Sequence, residues 1–393
     1  MNQYMQATDV VIIGGGIIGT ACAVALAQAR VRVILVERLG LAAGASSACQ
    51  SGIGFSPLSD DYNLRLDRAA IREYETLAEQ GAPIDYSRCG ALVVCHRHQA
   101  PLFRARLPHL LEMGYTCEWL DADALREAEP RLSPEITGAM LLQDMGQVSP
   151  MRVVNENARR AREHGATILT NTNVTAIEIA SSRVTAVITE RERIVTEQVV
   201  ICAGAWSRMV GQLAGLQLPV HPLKGHILVT EPAPKFLRYY ISEAGYEQSV
   251  NATLQAGMPS NEPTALPPQV ATVLQPLPSG QILIGSSREF AGFDREVNRT
   301  RLAQLAQRAV TVAPALARLR IIRTYAGLRP WTPDGLPLIG ATQQATGIIL
   351  ATGHAGEGNT RALVTGRLIM ELFTGKKPVI DPTPLSPDRF RLN

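Results

Sequence analysis

Asp9-Val10-Val11-Ile12-Ile13-Gly14-Gly15-Gly16-Ile17-Ile18-Gly19 is the stretch that decides the fold. Val10 to Ile13 are apolar and β-branched, as a central parallel strand requires. Gly14, Gly16 and Gly19 then keep the G-x-G-x-x-G spacing. In that pattern the first glycine allows a tight turn and the second lets backbone approach a pyrophosphate. The third lets the following helix lie close on the sheet. The helix predicted over Ile17 to Ala29 aims its amino terminus, with free N–H groups and a positive dipole end, at that phosphate.

The context supports the spacing. Val31 to Val36 is a second apolar strand, and Glu37 closes it about twenty residues past the glycines. Its carboxylate suits ribose hydroxyls and repels a 2′-phosphate. Beyond it, Gly40 to Gly54 is rich in small residues. Ser46 and Ser47 there offer hydroxyls to phosphate; read without the preceding fingerprint, the same stretch is a plain flexible loop.

Composition narrows the class. The 393 residues suit two domains. Hydrophobic residues make up 46% and charged residues 19%, a globular balance. A net charge of +3, 5% aromatics, and no zinc spacing or basic helix give no case for nucleic acid or a metal site. No apolar run reaches membrane-span length, and Met1 to Gln6 lacks a basic region and apolar signal core. The six cysteines (Cys22, Cys49, Cys89, Cys95, Cys117, Cys202) form no C-x-x-C and read as reduced thiols, so a cytoplasmic location is expected.

Further along, Leu64 to Glu79 and Pro101 to Met113 read as helices, Gly90 to Cys95 and Gly138 to Leu142 as strands, and Asp121 to Ala128 as a short capped helix. Strand and long helix no longer alternate here, which suggests an inserted domain. Ser149-Pro150 reads as N-cap and N1 of a helix to His164, with Gly165 at C′. A meander through Val174 to Ile179 and Val184 to Thr189 leads to a buried strand, Gln198 to Cys202. Ala203, Gly204 and Trp206 follow, as a second crossing of backbone near the same ligand. Val270 to Leu277 and Gln281 to Gly285 form a hairpin; Ser242 to Gln269, rich in Pro, Asn and Gly, reads as one long loop. Arg299 to Val312 is an amphipathic helix. The last section holds Ala326-Gly327-Leu328-Arg329-Pro330 and a further strand, glycine turn and helix through Thr352-Gly353-His354-Ala355-Gly356-Glu357-Gly358-Asn359-Thr360.

Together these motifs, over nearly the whole chain, resemble the D-amino-acid oxidase superfamily of flavin amine oxidoreductases, which includes glycine oxidase, sarcosine oxidase and D-amino-acid dehydrogenase. The resemblance implies an α/β protein: a Rossmann-type FAD-binding domain (1–84, 145–215 and 321–393) with an inserted α+β substrate domain (85–144 and 216–320) on an antiparallel or mixed sheet. It implies extended FAD, with Gly14, Gly16, Ile17, Ile18 and Gly19 at the pyrophosphate and Glu37 and Arg38 at the adenosine. Val174 would meet the adenine through its backbone. Ser46, Ser47, Gln50, Ser51 and Gly52 would approach the pyrophosphate, ribityl chain and ring. Gly327, Gly353, Gly356, Glu357, Gly358, Asn359 and Thr360 would line the ring end.

In such enzymes the arginine of G-L-R-P often clamps the substrate carboxylate, a role that falls here to Arg329; the alternative is an ion pair with a neighbour such as Asp334. The chain departs from glycine oxidase: an arginine after Gly-His is replaced by Ala355-Gly356-Glu357, and a hairpin tyrosine aligns with Val273. The flavin-linking cysteine of monomeric sarcosine oxidase is absent, since Pro330 and Trp331 follow Arg329, so FAD is expected to be noncovalent. The Gly-His-x-Gly-x-Gly form is more similar to FAD subunits of heteromeric enzymes: the opine (octopine or nopaline), hydroxyproline and proline dehydrogenases, and hydrogen cyanide synthase. That likeness implies oxidation of an amino acid, imino acid or opine to an imine, with electrons passing to partner subunits that hold an iron–sulphur cluster or second flavin. Glu357 is the candidate to meet an amine or guanidinium of the substrate. The rival readings are an oxidase that makes hydrogen peroxide, and a tRNA-modifying or assembly protein that keeps the fold as a scaffold.

Overall fold

A computed structural model describes residues 5–255 and 269–390. The opening motif folds as read. Val10–Ile13 is a fully buried strand, and Ile17–Gln28 is a helix buried on nearly every side. Such a helix is held by packing rather than by one amphipathic stripe. The parallel strands Val199–Ile201 and Val33–Val36 flank Val10–Ile13. Thr167–Leu169 and Ile348–Thr352 extend this sheet on either side, both parallel, and Leu338–Ala341 closes it antiparallel, giving six strands. The C-terminal helix Gly358–Thr374 lies against Ile17–Gln28 so closely that a Cβ on Gly366 would stand 2.4 Å from the Ala21 carbonyl oxygen.

Among the described residues the second large sheet has eight strands, in the order Ile321–Trp331, His221–Thr230, Ile282–Arg288, Gln269–Pro276, Tyr240–Glu243, Ala91–Cys95, Gly138–Leu142 and Cys117–Asp121. All neighbours are antiparallel except Tyr240–Glu243 with Ala91–Cys95. A four-stranded sheet (Met5–Ala7, Arg193–Val195, Arg183–Thr189, Val174–Ala180) and the short pair Gly52–Ile53 with Gly146–Gln147 complete the mixed α/β architecture.

Three expectations change. Ile321–Trp331, read with the dinucleotide-binding part, is the edge of the eight-stranded sheet, paired with His221–Thr230. An apolar strand does not declare in its sequence which sheet it joins. Ser242 to Gln269 is not one loop. Its first residues finish the strand Tyr240–Glu243, and Gly245–Gln255 is a helix whose polar content hid its period; residues 256–268 lie outside the described residues. Ser149 stands at the N-cap position before Pro150, yet its side chain makes no capping hydrogen bond. Among the described residues no helix is long and apolar enough to cross a membrane, and all six cysteines are free.

A buried ion pair joins the two ends of the chain. Asp67, on the Asp61–Glu79 helix, accepts from Arg361 Nε at 2.6 Å and Nη2 at 3.1 Å in the first turn of the C-terminal helix. Their side chains are 2% and 5% exposed. Removing one member strands the other charge in the core, so Asp67→Ala is expected to lower stability by about 3–5 kcal/mol. Urea denaturation checks this, and an unchanged midpoint would show that the pair contributes nothing.

Candidate active site

A cavity of about 550 Å³ runs from the glycine turn to the eight-stranded sheet. At its entry Gly14, with φ +117°, lies against the Cys202 carbonyl; a Cβ there would stand 2.5 Å from that oxygen. The turn is fastened by Glu37, whose Oε2 accepts from Gly15 N at 2.7 Å and Oε1 from Leu39 N at 2.8 Å. Ser46 Oγ accepts from Ile17 N–H at 3.0 Å. Its own O–H is therefore left to donate, which turns one backbone donor at the helix terminus into a hydroxyl donor beside it. Val174 lines the same end with Thr172 and Asn173; Arg38 lays its guanidinium 4.4 Å from the Trp206 ring centroid.

The middle of the cavity is where distant segments are sewn together. Asn359 Nδ2 donates to the Gln50 carbonyl at 2.6 Å, and the Asn359 carbonyl accepts from Tyr74 Oη at 2.6 Å. Thr360 Oγ1 accepts from Gly54 N at 3.2 Å. Gln50 Nε2 donates to the Val273 carbonyl on the hairpin at 3.1 Å. The amino terminus of Gly358–Thr374 thus faces the 49–54 loop.

At the far end the paired residues Gly225 and Gly327 leave one face of the sheet bare. A Cβ on Gly327 would meet the Ala48 carbonyl oxygen at 2.4 Å, and one on Gly225 would meet Arg329 Nη1 at 2.2 Å. The guanidinium therefore lies across Gly225. Arg329 Nη1 donates to the Ser287 carbonyl at 3.0 Å and Nη2 to Ser286 Oγ at 2.8 Å. Both acceptors are neutral, and Asp334, the alternative partner, is bound instead by Arg389. No ion pair of Arg329 occurs among the described residues. Five N–H donors less two leaves three, enough for a bidentate carboxylate. Burial, and then the Arg288 charge, push the Arg329 pKa down to about 10, so it stays cationic at neutral pH. Tyr240 and Tyr246 wall this end, together with Val273 and Glu357. Arg288 stacks on Tyr246, 4.4 Å from its centroid. Burial raises the Tyr240 pKa well above that of a free phenol, so it is a neutral hydroxyl.

Most of the expected residues therefore face one cavity: Gly14, Gly16, Ile17, Ile18, Glu37, Arg38, Ser46, Gln50, Gly52, Val174, Ala203, Gly204, Trp206, Gly327, Arg329, and Gly356 through Thr360. Four do not line it. Gly19 packs its backbone on Gly14. Ser47 Oγ donates to the Gly44 carbonyl at 3.3 Å. Ser51 is held by Gln275, which accepts from its N–H at 2.9 Å. Gly353, at φ +80°, is a turn residue against Thr332. Sequence reasoning missed Tyr240, Tyr246 and Gly225. The two tyrosines sit in or beside the stretch read as loop, and Gly225 lies in no motif.

The family described as FAD dependent oxidoreductase matches residues 9–372, and the chain belongs to that family. It is 30% identical to a glycine oxidase of Geobacillus kaustophilus, over 96% of each protein. It is 29% identical to hydrogen cyanide synthase subunit HcnC of Pseudomonas aeruginosa, over 98% of this chain and 96% of that protein. The crystal structure of glycine oxidase from G. kaustophilus superposes with a TM-score of 0.86 at 27% identity, covering 98% of this chain and 100% of that one. L-proline dehydrogenase from P. horikoshii has the same fold, with a TM-score of 0.86 at 22% identity over 99% and 100% of the two chains.

The residues present fit FAD. A glycine cradle that any Cβ would fill adjoins a helix amino terminus, and the cavity continues unbroken to the ring-end segments. Gly14→Val, which sets a branched side chain against Cys202, is expected to yield folded protein without bound flavin. Visible absorbance after gel filtration checks it; full flavin content would refute the cradle.

Proposed function

We propose that this family member oxidises the C–N bond of an amino acid, imino acid or opine to an imine, using noncovalent FAD, as the catalytic member of a heteromeric dehydrogenase. The observation that carries the reading is Arg329, a half-buried guanidinium held, among the described residues, only by neutral oxygens and open to the cavity. FAD, when bound, supplies the acceptor for the hydride that leaves the substrate carbon.

The chain's own residues do the rest. Arg329 takes the substrate carboxylate and so fixes the α-carbon relative to the ring end. Gly225 provides the flat floor on which the guanidinium rests. Tyr240, Tyr246 and Val273 exclude water from the reacting carbon and set the shape of the side-chain space. The positive end of the Gly358–Thr374 helix lines the cavity and would stabilise negative charge that develops there during hydride transfer. No side-chain base is needed, because a deprotonated amine can release hydride directly. The imine is then hydrolysed by water unless it is a stable cyclic product.

Two features support a substrate other than a small zwitterion. Val273 is apolar where the resembling hairpin carries a tyrosine, and Glu357 stands where an arginine would follow Gly-His. Glu357, whose charge acts on both Arg329 and Tyr240, is our candidate for an amine or guanidinium of an opine. The heteromeric reading draws on the name of the HcnC relative, which is a subunit. The glycine oxidase relative at 30% identity supports the second reading, a self-sufficient oxidase that makes hydrogen peroxide.

Anaerobic mixing of the holoenzyme with amino acids, imino acids and opines, followed by air, decides between them. We expect bleaching of the flavin that persists in air; rapid recolouring would establish the oxidase, and no bleaching with any amine would remove both. Arg329→Ala is expected to raise KM about 10- to 100-fold, the loss of a hydrogen-bonded charge, with flavin retained. Gly225→Ala should act in the same direction by lifting the guanidinium. Unchanged steady-state kinetics in both would make Arg329 a structural residue. Affinity for small carboxylates should hold through neutral pH and fall as pH rises through about 10, where the clamp loses its charge; titration of acetate at several pH values measures this.

A further inference from the structure

The clamp depends on an irregularity in the sheet. His221–Thr230 and Ile282–Arg288 pair as Leu228↔Ile284 and Val229↔Leu283. The two chains meet again at the bridge Lys224↔Glu289. Four residues separate 228 from 224 and five separate 284 from 289, so one extra residue sits on the second strand, as in a β-bulge. The Ser287 carbonyl and the Ser286 hydroxyl, the two acceptors of Arg329, both belong to this irregular stretch.

His226 holds that bulge. Its backbone N–H donates to Ser287 Oγ at 3.0 Å, and its ring Nδ1 lies 2.8 Å from the same oxygen. On the far side of the ring, Nε2 accepts the Asn298 N–H at 3.1 Å. The network therefore assigns the proton to Nδ1, which donates to Ser287 Oγ. The side chain is fully buried, and burial keeps the imidazole neutral. It stands on the opposite face of the strand from Arg329, because its neighbour in the pleat, Gly225, underlies the guanidinium.

We propose that His226 is a positioning residue for the carboxylate clamp: through Ser287 it fixes the bulge that aims Arg329 into the cavity. This rests on the reading of Arg329 as the carboxylate anchor. His226 itself does not line the cavity. Removing its ring leaves Ser287 Oγ with one donor instead of two, and the bulge is free to re-pair with Gly225 to Ile227. The guanidinium is then no longer presented in one orientation.

The test uses the holoenzyme and two simple probes, acetate and benzoate, titrated by the change they cause in the flavin spectrum. His226→Leu and Ser287→Ala should each weaken both probes on the order of tenfold, with flavin content and unfolding temperature close to native. His226→Asn, which keeps an N–H donor near the position of Nδ1, should recover most of the affinity. The double variant His226→Leu/Ser287→Ala should be no weaker than the poorer single variant, since both act through one contact. In turnover the loss should appear in KM rather than kcat. Should His226→Leu fold poorly, Ser287→Ala and His226→Asn alone decide the matter. Arg329→Met serves as the reference and should abolish binding. If it does, and His226→Leu and Ser287→Ala bind the probes like the native protein, the positioning role is wrong while the clamp stands. If Arg329→Met still binds the probes normally, the clamp and the positioning role fall together.

Discussion

Arg329 lies flat on Gly225, with two of its N–H groups on neutral oxygens and no carboxylate paired with it among the described residues. A guanidinium in such surroundings is costly to keep charged, and its lowered pKa reflects that. On the role we propose for Arg329, an anion arriving in the cavity would offset that cost, so binding would be favoured by what the protein withholds as well as by what it offers. Much of the surrounding construction serves this arrangement. The bare Gly225–Gly327 patch makes room, the bulge at Ser286 and Ser287 supplies the two acceptors, and the loop through Ala48 packs against the other half of the same patch.

That geometry is useful only if the two large sheets keep a fixed relation, and buried polar contacts between segments distant in sequence help the apolar core to fix it. Gln275 accepts from Ser51 N–H and donates to Gln147 Oε1 at 3.0 Å, all three residues being buried. Gln50 reaches the hairpin and Asn359 reaches Gln50. A buried amide network of this kind costs stability when any member is lost and in return permits one arrangement rather than several. The ion pair Asp67–Arg361 does the same for the helix whose amino terminus faces the loop. The cavity is thus formed by segments near residues 50, 275, 330 and 359, joined by hydrogen bonds beside an apolar core in which Ile53, Val93, Met140 and Ala362 pack together.

Legibility in the sequence followed the range of the interaction. The glycine turn was readable because each glycine has a local reason: Gly14 needs a left-handed φ and Gly19 needs room against Gly14. Glu37 was readable as an acid at a strand end, but its hold on Gly15 and Leu39 was not, since two backbone N–H groups leave no mark in composition. Ser47 and Ser51 were placed in the cavity by proximity to Ser46, and one residue of rotation along the loop turned them away. Gly225 could have been suspected from an isolated glycine inside a strand, which often marks close backbone or ligand approach. Tyr246 carried no such signal, because its helix is mostly polar and its role comes from packing with Arg288.

The same frame explains how relatives can share a fold and differ in substrate. The cofactor end is set by backbone: glycine positions, a helix terminus and carbonyls, which tolerate little change. The end we propose for the substrate is set by side chains drawn from several strands of one sheet, and these can vary independently. Here the hairpin contributes Val273, while the phenols come from Tyr240 on a neighbouring strand and Tyr246 on the helix that follows it. This leaves the hairpin side of the cavity apolar and puts a hydroxyl-bearing wall, backed by a second arginine, on the other side. On the function proposed above, a substrate that extends past its α-carbon would lie between those two walls.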